Sequence, residues 1–91
     1  MKLQDVPKGR QFHLGKGIWL THGLNEAKHI ASWVTGSFDP ETQVEFLAVS
    51  VELWGTDKCI GCNAACRLRT IEARGKYAKG VSICIPCAIA G

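Results

Sequence analysis

The sequence predicts a small single-domain fold of the α+β class. Three observations point there. The chain has 91 residues with 46% apolar content, a globular composition too short for several large cores. Its first two thirds mix helix-like and strand-like periodicity. Its last third holds two C-x2-C pairs, Cys59-Ile60-Gly61-Cys62 and Cys84-Ile85-Pro86-Cys87, with 21 residues between them.

Taken in order, Met1 to Gln11 is polar, carries Pro7 and Gly9, and reads as a loop or frayed end. Phe12 to Thr21 places Gly15 and Gly17 between apolar residues and predicts a short hairpin. The next element, opening at Leu24, is expected to be a helix over residues 25–35. Asn25 stands as N-cap, Ala27, Ile30, Ala31 and Val34 share one helical face, and Gly36 is the stop. Residues 40–54 fit either helix or strand. Asp39-Pro40-Glu41 resembles a helix start, and Val44, Leu47, Ala48 and Val51 repeat at helical spacing. Leu47, Val49, Val51 and Leu53 also alternate at period two. The helical reading is preferred. Residues 1–57 then form an apolar-core region, with Ile30, Trp33, Val34, Leu47 and Val51 among its buried members, and residues 58–91 form a separate module. In that module Leu68 to Ala73 alternates like a strand, Gly75 to Gly80 supplies turns, Val81-Ser82-Ile83 returns, and Pro86 opens a helical turn through Ala90.

A C-x2-C turn sets two thiolates on one side of a tight loop, and two such turns supply the four sulfurs of a tetrahedral zinc site. Cys59, Cys62, Cys84 and Cys87 are therefore expected to hold one structural zinc ion with no open position for water. Such an ion would staple a chain of this size. Cys66 is left over and reads as a buried small hydrophobe. His13, His22 and His29 follow no ligand spacing. The start Cys59-Ile60-Gly61-Cys62 resembles bacterial ferredoxins, which makes an iron–sulfur or redox protein an alternative. Arg67 follows Cys66 where that motif carries proline.

Charge is uneven. Residues 1–57 carry a net −2 and residues 58–91 a net +5. Arg67, Arg69, Arg74, Lys76 and Lys79, with Tyr77 among them as a stacking aromatic, are the expected contact residues for nucleic acid or a nucleic-acid-processing complex. Trp54, beside Gly55, is the tryptophan whose exposure would mark a binding hot spot. No apolar run approaches the ~20 residues of a membrane helix. No apolar signal region opens the chain, and an odd cysteine count suits a reducing cytoplasm.

The last third resembles the four-cysteine fingers of the zinc-ribbon and treble-clef classes. Over residues 59–87 its C-x2-C, basic spacer and second C-x2-C are similar to the DksA/TraR-type regulators, though the spacer is longer and no acidic tip precedes it. That resemblance implies a regulator acting on a nucleic-acid machine, through nucleic acid or a transcription-type complex. As a short chain with no catalytic motif it also resembles bacteriophage accessory proteins. The alternative expectation is therefore a protein–protein inhibitor of a host enzyme such as RNA polymerase or a defence complex. In both cases the chain works by binding, not catalysis.

Overall fold

A computed structural model describes residues 1–23 and 25–91. The chain forms two compact units, Met1–Phe46 and Leu47–Gly91. Strands dominate both, and one short helix lies at the C-terminal end, so the α+β class holds. The boundary expected at 57/58 falls within a single strand, Val51–Lys58.

The first unit is a five-stranded antiparallel sheet. Its strands are β1 (Gln11–Leu14), β2 (Gly17–Gly23), β3 (Glu26–His29), β4 (Thr35–Ser37) and β5 (Glu45–Phe46), in the order β4-β3-β2-β1-β5. The predicted hairpin is present as β1–β2, with Gly15 at φ +64° in its turn. That left-handed conformation is one glycine adopts at little cost. Phe12, Ala27, Leu3, Val6 and Val44 make the core, flanked by Leu14, Trp19, Phe38 and Phe46.

The helix expected over 25–35 is not formed. Leu24, where that stretch opens, lies outside the described residues. Ala27, Lys28 and His29 pair with Thr21, Leu20 and Trp19 of β2, and Asn25 is a turn residue at φ 60° instead of an N-cap. Of the apparent helical face only Ala27 is buried; Ala31 and Val34 face solvent. The spacing matched a helix, but β2 offered a ladder of backbone partners and a cross-strand Trp19–His29 ring contact at 4.8 Å. Gly36 is no helix stop either. A Cβ there would lie 3.1 Å from the Phe38 ring and 3.2 Å from Trp19, so its lack of a side chain admits the aromatic cluster. Trp33 and Val34, expected in the core, stand in the β3–β4 turn 65% and 60% exposed. The N-terminal segment is not frayed. Leu3–Asp5 forms a 3-10 turn, Leu3 N–H donates to Thr42 O at 2.8 Å, and Val44 N–H donates to Met1 O at 2.8 Å.

The second unit is built on an antiparallel pair, β6 (Val51–Lys58) and β7 (Ala65–Thr70), followed by α1 (Ile85–Ala90). The preferred helix over 40–54 gives way to extended chain. Leu47, Val49 and Val51 are all fully buried, which satisfies period two and not period 3.6. Val44 belongs to the first unit's core, so the apparent helical stripe is divided between two cores. Leu68, Ile83 and Ala88 are buried in the same unit. The returning segment pairs as expected: Thr70 N–H donates to Val81 O and Ile83 N–H to Leu68 O. Thr70, buried, also ties the loop between, its Oγ1 donating to Ala78 O at 2.6 Å and accepting from Val81 N–H at 3.1 Å.

Candidate metal centre and the hairpin that carries it

The connection between β6 and β7 is the first cysteine pair. Cys59 N–H donates to Ala64 O at 2.8 Å and Asn63 N–H donates to Cys59 O at 2.9 Å, which closes a tight knuckle with Asn63 at φ 62°. Asparagine tolerates that conformation better than most side chains. The second pair opens α1. Cys84 is its N-cap residue, in an extended conformation, and Pro86 fills an early helical position where its missing N–H costs nothing. β7 and the 81–83 segment between the knuckle and the helix bring the pairs together. The four sulfurs of Cys59, Cys62, Cys84 and Cys87 all lie within 4.8 Å of one another, and Cys62 Sγ and Cys84 Sγ are 3.4 Å apart.

Those distances suit a metal and not a disulfide. Sulfurs at about 2.3 Å from a tetrahedral ion are separated by about 3.8 Å, whereas a disulfide bond is about 2.05 Å. The surroundings favour charge at one end of the cluster. Burial works against the Cys59 thiolate, but backbone N–H groups of Cys84, Cys62 and Gly61, with the Cys87 side chain, outweigh it and bring its pKa from 9.0 down to about 6. At Cys84 burial leads, and bonds with the Cys62, Cys87 and Cys59 side chains add to it, so the thiol is pushed up to about 12 despite a Cys87 N–H. At Cys87 a bond with Cys84 favours the thiolate, yet bonds to Cys59 and Cys62 and burial keep its value raised. A bound cation would stabilise the thiolate form at all four sulfurs at once.

Gly61 has a role that the spacing alone did not reveal. A Cβ there would meet the Tyr77 hydroxyl at 2.8 Å and Cys87 Sγ at 3.1 Å. Tyr77 is itself a correction. Expected as an exposed stacking residue, it is 6% exposed, and its hydroxyl hydrogen-bonds the Cys87 sulfur. A tyrosine packs its ring and still needs a partner for its hydroxyl, and the Cys87 sulfur is that partner. Cys66 is outside the group of four. It is buried on β7, and burial raises its thiol. His13, His22 and His29 lie on β1, β2 and β3.

The expected cations fall into two sets. Arg67 and Arg69 are on β7; Arg74, Lys76 and Lys79 are in the 71–80 loop. Alternation on β7 buries Cys66, Leu68 and Thr70 and turns Ala65, Arg67 and Arg69 outward. Lys58 pairs with Ala65, so it shares that outer face, and the sequence reading had not singled it out. The Arg69 Nε is ion-paired to Glu52 Oε1, and its guanidinium lies 3.6 Å from the centroid of the Trp54 ring. Trp54 is 54% exposed. In the loop, Arg74 pairs with Glu72 at 3.3 Å and the Lys76 ammonium lies 5.4 Å from the Tyr77 ring. Among the described residues no helix is long and apolar enough to cross a membrane. No family model, no curated protein and no solved structure matches the chain.

Proposed function

We propose that the chain is a zinc-stabilised binding protein whose outer β6–β7 face contacts nucleic acid, serving a regulatory part in a nucleic-acid machine. Zinc is favoured by the donor set: four thiolates and no further position for water make a closed structural site of the kind zinc fills. Cys59, Cys62, Cys84 and Cys87 would hold it. The ion would supply cross-linking and charge neutralisation, with no chemistry on a substrate. The order knuckle, hairpin, helix, with the second pair at the helix start, favours the treble-clef reading over the zinc ribbon.

The observation that carries the nucleic-acid reading is the outward row of Lys58, Arg67 and Arg69 on a hairpin whose turn holds two of the four clustered cysteines. A ligated turn limits the freedom those side chains' backbone would lose on binding. Each phosphate contact removed should flatten the dependence of log K on log salt by about 0.7–0.9. Lys58→Ala with Arg67→Ala should therefore weaken binding to DNA or RNA and reduce that slope by about 1.4–1.8, with metal content unchanged. Binding that is indifferent to salt, or unchanged in the double variant, defeats the proposal.

One observation favours a second reading, inhibition by contact with a protein. Trp33 is highly exposed beside Val34 in the β3–β4 turn and sits at φ 61°. Exposed tryptophan is the residue type most enriched at protein hot spots.

A further inference from the structure

Trp54 has a setting that an ordinary surface tryptophan lacks. Along β6 and β7 the register runs Leu53↔Leu68 and then Asp57↔Cys66. Trp54, Gly55 and Thr56 thus stand opposite the single residue Arg67, a bulge that breaks the pairing and re-aims the side chains within it. One face of the indole is occupied by the Arg69 guanidinium at 3.6 Å. Glu52 holds that guanidinium through its Nε, and Glu52 and Arg69 are themselves cross-strand partners. The ring is thus positioned by a stacked, ion-paired arginine and still leaves about half its surface to solvent. Lys58 and Arg67 flank it on the same outer face.

We infer that Trp54 is a base-stacking platform and that this face takes single-stranded nucleic acid in preference to duplex. The inference deepens the nucleic-acid reading above and rests on it. A flat aromatic face gains from contact with the face of a base. Only an unpaired base offers that face, because duplex bases stack on each other and show their edges in the grooves. The flanking cations supply the sequence-independent attraction to phosphates that accompanies such stacking. A two-stranded ribbon can also enter a duplex major groove, but there polar side chains read base edges, and a tryptophan laid flat against an arginine has nothing to read.

The test uses the full metal-loaded chain and fluorescence anisotropy of a labelled short oligonucleotide, offered single-stranded and as a duplex of equal length at low salt. The expected result is tighter binding of the single strand. Trp54→Ala should lose roughly ten- to a hundred-fold of that affinity, while Trp54→Phe keeps most of it and the metal content of both variants matches the parent. Retention by Trp54→Phe separates stacking from a loss of fold. Equal or tighter duplex binding that Trp54→Ala leaves unchanged overturns this inference and leaves the broader nucleic-acid reading standing. No binding to either form, with polyglutamate bound instead, overturns both and assigns the face to an acidic protein surface.

Discussion

Removing the metal should unfold half of the chain and spare the other half. The second unit depends on the four sulfurs at two places: the β6–β7 turn runs through Cys59 and Cys62, and α1 begins at Cys84 and Cys87. With α1 only six residues long, the helix is far too short to persist without its anchor. Apparent zinc-binding free energies in small fingers are about 10–16 kcal/mol at neutral pH. A whole small domain is stable by only about 5–15 kcal/mol. Loss of the ion thus removes an amount comparable to everything the unit has. The first unit contains no cysteine, and its core of Phe12, Ala27, Leu3, Val6 and Val44 has no metal to lose. The assay is amide hydrogen exchange before and after chelation. The amides of Thr70 and Ile83, bonded to Val81 O and Leu68 O, should lose protection. Those of Thr21 and Ile30, bonded to Arg10 O and Ile18 O, should keep it. Protection of Thr70 and Ile83 surviving in the metal-free chain would refute the reasoning, as would simultaneous loss at Thr21 and Ile30.

Four further outcomes are expected. Metal loading at pH 7 should release protons, at least those of Cys84 and Cys87, whose values are both raised; metal binding followed in two buffers of different ionisation heat counts them. Affinity should fall as pH falls, and the fall should steepen by about one proton below about pH 6, where Cys59 ceases to be a thiolate; a chelator competition from pH 5 to 8 measures the slope. Gly61→Ala should lower metal affinity, because its Cβ needs space held by the Tyr77 hydroxyl and Cys87 sulfur, and a metal titration unchanged from the parent would dismiss that steric argument. Thr70→Val keeps shape but strands Ala78 C=O and Val81 N–H; it should cost about 1–3 kcal/mol in denaturant unfolding of the second unit.

The four-cysteine cluster was legible because its constraint is local. A C-x2-C turn reaches its geometry within four residues, so spacing alone identifies all four. The closing helix was legible for the same reason: Pro86 and the residues after it need no distant partner. The 25–35 segment was not. Ala27, Ile30, Ala31 and Val34 satisfy a helical face by coincidence of spacing, and what decides the matter is β2, whose free edge is visible only once β1 and β2 have paired. Residues 44–51 misled differently. Val44 and Leu47 are both buried, but in different units, so a pattern read as one stripe was two short strand-like pieces. Tyr77 was placed on the surface because its neighbours are cations. Its burial follows from the position of Cys87, ten residues on.

β7 shows how one six-residue strand can serve both the metal module's interior and its exterior. Cys66, Leu68 and Thr70 turn inward, where Thr70 ties down the 71–80 loop and Leu68 packs in the core; Arg67 and Arg69 turn outward. Because side chains alternate strictly, sliding the register by one residue would bury two arginines and expose the core set together. The knuckle guards against that slip. Ligation of Cys59 and Cys62 would fix the length of the turn between β6 and β7, and with it the pairing Lys58↔Ala65 nearest the turn. The bulge at Trp54–Thr56 absorbs the extra residues farther along, and beyond it the pairs Leu53↔Leu68 and Val51↔Thr70 resume, with Leu68, Val51 and Thr70 buried and Leu53 about half exposed. A bound metal would therefore fix more than stability. It would set which side chains of the hairpin face outward, and so whether Lys58, Arg67, Arg69 and Trp54 share a surface at all.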